Sequence, residues 1–157
     1  MKRYLTAGAL MLACSAPVHA QHSAAAGHLW EVGATYGRDL TAEESLWALS
    51  IARNYGTWKG VLEYADGRHG GGGSRVTSLK AFGLAGNWSG VEFGVGVGGS
   101  YVDEAGASGF GMLVAAEAVL PITAQLAAKL EVSRTWELSD LRTLPANVVQ
   151  AGLLWRF

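Results

Sequence analysis

From Trp30 onward, apolar and polar residues alternate with a period of two, the mark of strands with one face in an apolar setting. Trp30, Val32, Ala34 and Tyr36 share one face, and Glu31, Gly33, Thr35 and Gly37 the other. Trp47, Leu49 and Ile51 then oppose Ala48, Ser50 and Ala52, and Trp58, Gly60, Leu62 and Tyr64 oppose Lys59, Val61 and Glu63. The clearest run sets Val91, Phe93, Val95 and Val97 against Glu92, Gly94, Gly96 and Gly98. Three more follow: Phe110 to Ala118 with Glu117 on the opposite face, Leu126 to Ser133 with Lys129 and Glu131 opposite, and Val149 to Phe157 with Arg156 opposite. A further run, Val76 to Ala85, is ambiguous in phase, because Phe82 and Leu84 fall on the face of Ser78 and Lys80. The pattern predicts eight strands.

Connections alternate in length. Turn signals fall near Asn54–Gly56, Asn87–Gly90 and Pro121–Thr123; longer polar links are expected at Arg38–Glu44, Ala65–Ser74, Asp103–Gly109 and Glu137–Pro145. Tight turns on one rim and longer loops on the other suit an up-and-down antiparallel barrel. Two stretches would also accept a helix. Thr41-Ala42-Glu43-Glu44 is a capping-box pattern ahead of Leu46, Leu49 and Ala52, and Leu126 and Leu130 lie four apart. A helix over 42–53 would leave an odd strand count and a turn at Asn54–Gly56 with nothing to pair, so strands are expected in both places.

Alternation does not say which face looks outward, since a soluble lipocalin-like barrel alternates too. Aromatic placement separates the two. Trp30, Tyr55, Trp58, Trp88, Trp155 and Phe157 fall toward the short-turn rim, and Tyr36, Trp47, Tyr64, Tyr101, Phe110 and Trp136 toward the other. Only Phe82 and Phe93 read as mid-strand. Two belts of rings at two edges are what a lipid-spanning barrel requires, because amphipathic rings favour the headgroup level. The expected fold is therefore all-β, an eight-stranded antiparallel up-and-down transmembrane β-barrel. Its lumen would receive Glu31, Lys59, Glu63, Lys80, Glu92, Glu117, Lys129, Glu131 and Arg156. An eight-stranded barrel is just wide enough for its own side chains, and charges buried there must pair. The expectation is an internal ion-pair network.

Met1 to Ala20 carries a charged start (Lys2, Arg3), an apolar middle (Leu5 to Cys14) and a small-x-small site at Val18-His19-Ala20, the pattern of a secretory signal. Residues 1–20 are thus expected to be removed, 21–27 to form a flexible lead-in, and 28–157 to form the barrel. A lipoprotein leader, with Met11-Leu12-Ala13 preceding a lipidated Cys14, is the rival reading. Ordinary cleavage would leave no cysteine, so disulfides are not expected to hold this exported domain. The formal net charge is −1 over 157 residues, with no basic excess of the kind nucleic acid demands.

The chain ends Gln150-Ala-Gly152-Leu-Leu-Trp155-Arg-Phe157, with aromatics at the antepenultimate and last positions. This resembles the C-terminal signal of bacterial outer-membrane barrels. Together with the leader and the strand count, residues 28–157 resemble the small eight-stranded class that includes OmpX, Ail and the membrane domain of OmpA. The resemblance implies a Gram-negative outer-membrane location, recognition of Gln150, Gly152, Trp155 and Phe157 by the barrel-assembly machinery, and contact with outer-membrane lipid and lipopolysaccharide. It brings no cofactor.

Other chemistry is sparse. Gly94-Val-Gly96-Val-Gly98-Gly99 contains a G-x-G-x-x-G string, but that fingerprint binds dinucleotides only where a strand turns into a helix. Here it sits inside a strand pattern. An outer-leaflet lipid enzyme would need a base, and beyond the leader the histidines are His22, His28 and His69. His69 lies near Asp66 and Ser74 beside four glycines, a poor frame for catalytic geometry. Three scattered histidines make no zinc site. Arg38, Arg68, Arg75 and Arg142 could meet lipopolysaccharide phosphates. The sequence reads as a monomeric, non-catalytic barrel with a structural or surface-interaction role; a lipid A-modifying enzyme and a small channel are the alternatives.

Overall fold

The structure, a computed structural model, describes residues 29–41, 43–69, 72–104, 107–138 and 147–157. The expected leader, Cys14, the segment 21–27, His22, His28 and Arg142 lie outside these residues. The described chain forms eight strands: β1 Trp30–Asp39, β2 Glu44–Asn54, β3 Trp58–His69, β4 Gly72–Trp88, β5 Val91–Glu104, β6 Ala107–Pro121, β7 Leu126–Glu137 and β8 Asn147–Arg156. Each pairs antiparallel with its neighbour in sequence, and β1 closes on β8. Both segments that would have accepted a helix are strands. The capping-box pattern becomes a turn, with Glu43 at φ 59° and the Thr41 N–H donating to Asp39 Oδ1 at 2.7 Å.

Register sets the shape. From Trp30, partners run through Arg53, Gly60, Ala81, Val97, Val114, Arg134 and Asn147, whose carbonyl accepts from the Leu40 N–H at 2.8 Å. One circuit thus returns to β1 ten residues further on, a shear of 10 for eight strands. With a rise of about 3.3 Å and strands about 4.8 Å apart, the strands tilt by about 41° around a backbone radius of about 8 Å. Each residue along a strand then climbs about 2.5 Å, and each step to the next strand about 3 Å.

The wall is apolar outside and polar within. Val32, Leu49, Ile51, Leu62, Leu79, Val95, Val97, Leu130, Val132 and Leu153 are all exposed on the exterior. Thirteen aromatic side chains share that surface. Trp30, Tyr55, Trp58, Trp88, Phe93, Trp155 and Phe157 ring the short-turn end; Tyr36, Trp47, Tyr64, Tyr101, Phe110 and Trp136 ring the other. Worked from tilt and register, the two belts are about 20 Å apart, close to the height of a bilayer's apolar band. Phe93 joins the lower belt because β5 starts only two residues before it, which corrects the mid-strand placement.

The fourth strand also differs from expectation. It runs from Gly72 to Trp88, well beyond Val76–Ala85, and its pairing with β5 skips Ala85. The ambiguous phase has another cause, since Phe82 and Leu84 lie ahead of this bulge and share the inner face with Ser78 and Lys80; beyond Ala85 the extra residue reverses which face a given parity occupies. Phe82, before it, is fully buried inside the barrel; Trp88, after it, is 75% exposed outside.

The links expected at Ala65–Ser74 and Asp103–Gly109 are mostly strand. Partners continue to His69–Gly72 and Glu104–Ala107. Beyond the upper aromatic belt the outward positions are no longer apolar, so hydrophobic alternation fades while the ladder still satisfies backbone donors and acceptors. At the short rim, β4 and β5 join through Ser89 and Gly90 at φ 52° and 84°, the two positive values of a type I′ turn.

Candidate functional site

Among the described residues, polar side chains converge in quantity in the lumen. Inward positions alternate along every strand, and the register above decides which of them meet. All nine charged residues singled out from the sequence project inside, eight of them buried and Glu92 nearly so.

They form two strings of alternating sign. In the lower string, Arg156 donates from Nη2 to Glu92 Oε2 at 2.8 Å and from Nε to Glu31 Oε1 at 3.0 Å. Lys59 Nζ lies 3.5 Å from Glu31 Oε2 and 2.7 Å from Glu117 Oε1. In the upper string, Lys129 Nζ is 2.6 Å from Glu131 Oε2, and Lys80 Nζ donates to Glu131 Oε1 at 2.6 Å and Glu63 Oε1 at 2.7 Å. Gln150 extends it, donating to Glu63 Oε2 at 3.2 Å and accepting from Thr35 Oγ1 at 3.0 Å. Several of these bonds join strands that share no ladder: Arg156 of β8 to Glu92 of β5, Lys59 of β3 to Glu117 of β6, and Lys80 of β4 to Glu131 of β7. They brace the cylinder across its diameter.

Apolar inward residues fill the remaining space. Phe82 packs with Ala52, Val61, Leu113 and Ala115, and its ring lies 5.6 Å from Lys59 Nζ. The negative ring face attracts the ammonium. A Cβ at Gly96 would stand 2.8 Å from Phe82 Cδ1, so the glycine makes room for the ring. Val119, Ala127 and Leu154 form a second buried apolar cluster, from β6, β7 and β8. Above Lys80 a cavity of about 50 Å³ remains, lined by Asp39, Glu44, Ser74, Ser78, Ser100 and Thr135 among others. That is room for a few waters.

Sequence reasoning missed part of this lining. Asp39 and Glu44 read as link residues, yet they continue the inward parity of β1 and β2. Gln150 drew notice only as part of the terminal motif. Ser78 and Ser100, whose hydroxyls are 3.0 Å apart, carried no signal beyond their parity.

Of the remaining candidates, Asp66 and Ser74 are not brought together. His69 ends β3 opposite Gly72. Ser74 is buried on the inner face opposite Gly67, whereas Asp66 lies on the outer face opposite Arg75, so Asp66 and Ser74 are on opposite sides of the wall. The glycine string at 94–99 is continuous β5, paired on both sides. Among the described residues no group of three or more His, Cys, Asp or Glu could hold a metal. In the terminal motif, Gln150 and Gly152 point inward, while Trp155 and Phe157 stand in the lower aromatic belt.

No family model and no curated protein sequence matches this chain. Solved structures do. The N-terminal β-barrel domain of Pseudomonas aeruginosa OprF superposes with a TM-score of 0.67 at 17% identity, over 82% of this chain and 96% of that one. Neisserial surface protein A (NspA) gives 0.59 at 10% identity, over 82% and 94%. The Yersinia pestis outer membrane protein Ail, in a phospholipid bilayer nanodisc, gives 0.54 at 11% identity, over 83% and 99%. At such identities the likeness is one of fold. With its closed wall, apolar exterior and two aromatic belts, this chain has the fold of the small eight-stranded outer-membrane β-barrels.

Proposed function

We propose that this protein is an exported, monomeric barrel of a Gram-negative outer membrane that works through its surfaces, as a structural or surface-interaction protein, without catalysis. The observation that carries the reading is the pair of charge strings filling a lumen whose outer wall is continuous grease. Water cannot satisfy such an exterior, and exposed apolar surface on this scale belongs in lipid. The short-turn rim, where Trp30 and Phe157 pair, faces the periplasm, as short turns do in this architecture. The opposite rim carries Arg38 and Arg75 on the outer face, placed to meet lipopolysaccharide phosphates bidentately. Gln150, Gly152, Trp155 and Phe157 serve as the signal read by the barrel-assembly machinery before closure, after which the first two are absorbed into the lumen.

Cell fractionation combined with semi-native electrophoresis tests this. The protein is expected in the outer-membrane fraction, with a folded band that shifts on boiling. Recovery in the soluble periplasm, with no heat-dependent shift, would overturn the reading.

A further inference from the structure

Arg53 is the odd residue of the lower belt. Among the described residues, every other outward-facing charge on a strand lies toward the opposite rim: Arg38, Asp66, Arg75, Asp103 and Arg134. Arg53 faces out beside Trp30, its partner in register, within about 5 Å in height of Trp30, Tyr55 and Trp58 by the tilt and climb given above. Its guanidinium carbon is 5.3 Å from the Trp30 ring and 5.2 Å from the Tyr55 ring. Tyr55 is held in turn by Trp58, stacked at 4.1 Å and 12°, and its N–H donates to the Trp58 carbonyl at 2.8 Å. Arg53 makes no ion pair among the described residues. It is a pre-oriented, unneutralised fork at the level where headgroups lie.

We propose that Arg53, Trp30, Tyr55 and Trp58 form a headgroup site for an anionic glycerophospholipid of the leaflet at the short-turn rim. The inference rests on the membrane reading above and adds a specific lipid contact to it. A guanidinium matches a phosphodiester with two parallel hydrogen bonds, and stacking on aromatic faces leaves its N–H edge free to make them. The rings cost little entropy to order, because Tyr55 and Trp58 already hold each other. Charge complementarity selects a net-negative headgroup over a zwitterionic one. Arg134 with Trp136, 5.5 Å apart at the opposite rim, has one ring in place of two and serves as the internal comparison.

The test uses the full barrel refolded into nanodiscs of zwitterionic lipid doped with phosphatidylglycerol, then released in a mass spectrometer that preserves bound lipid. Wild type is expected to retain one phosphatidylglycerol. Arg53→Gln should retain it about tenfold less, the factor for one charge-assisted contact, while Arg134→Gln behaves as wild type. Equal retention by all three, or equal loss in both variants, overturns the site. Competition by inorganic phosphate would also overturn it, because the site would then be one for free anions. If wild type fails to insert at all, the membrane reading itself falls, an outcome distinct from insertion with equal retention.

Discussion

Removing Lys80 is the sharpest test of the lumen. Its ammonium is 2.7 Å from Glu63 and 2.6 Å from Glu131, with the side chain 2% exposed. At an effective dielectric of about 20, each contact is an attraction of about 6 kcal/mol, offset by the desolvation of three ions. Lys80→Met keeps the volume and deletes the charge. Glu131 then retains Lys129 at 2.6 Å, but Glu63 is left with only the Gln150 amide at 3.2 Å. One buried carboxylate is effectively stranded, and stranding one member of a buried pair costs about 3–5 kcal/mol. Adding Glu63→Gln removes the stranded charge and should return about 2 kcal/mol. The assay is urea unfolding of the barrel refolded into lipid vesicles, followed by tryptophan fluorescence and by the boiled-versus-unboiled gel shift. The four-corner cycle isolates the coupling. A loss below about 1 kcal/mol for Lys80→Met, or no recovery on adding Glu63→Gln, would refute the claim that these buried charges depend on one another.

Other outcomes follow from the same geometry. Gly96→Ala places a methyl against Phe82 and the Ala81 carbonyl and should destabilise the barrel by about 1–3 kcal/mol; Phe82→Leu in the same chain should restore part of it. Phe157→Ala is expected to lower the amount of folded protein in cell outer membranes several-fold while leaving refolding into detergent largely intact, separating recognition of the chain end from stability. His69→Ala should leave the lipid A mass spectrum of expressing cells unchanged; a difference from wild type would revive the enzyme alternative. Spin labels at Val95 and Val97 should be shielded from a polar relaxation agent and open to oxygen, and the reverse pattern would contradict the inside-out wall.

Much of this architecture is legible because a period of two is all that a one-layer wall requires. Glu31, Lys59, Glu92 and Arg156 could be assigned to the inside from their immediate neighbours alone. Their partners could not. That Arg156 reaches Glu92 depends on a shear set by all eight registers together, which no local window contains. The bulge at Ala85 was hidden for the opposite reason: it erases the local pattern, so Phe82 and Trp88 share a parity yet face opposite sides. Strand ends were missed above the membrane, where hydrogen bonding persists after the hydrophobic signal has gone. Asp39 was overlooked for the same reason.

The cross-lumen bonds carry a kinetic consequence. Arg156–Glu92, Lys59–Glu117 and Lys80–Glu131 each unite segments far apart in the chain, and none is held in place by a neighbouring ladder. A half-rolled sheet entering hydrocarbon would carry solitary ions with no counterpart, each several kcal/mol uphill. Partial insertion is therefore the least tolerable stage of biogenesis, and the seam between first and last strands must knit before or during entry. The same penalty stands in the way out. Once rolled shut, the cylinder can open only by parting every one of those ions in oil, so its persistence is governed by a barrier to escape more than by depth of the well.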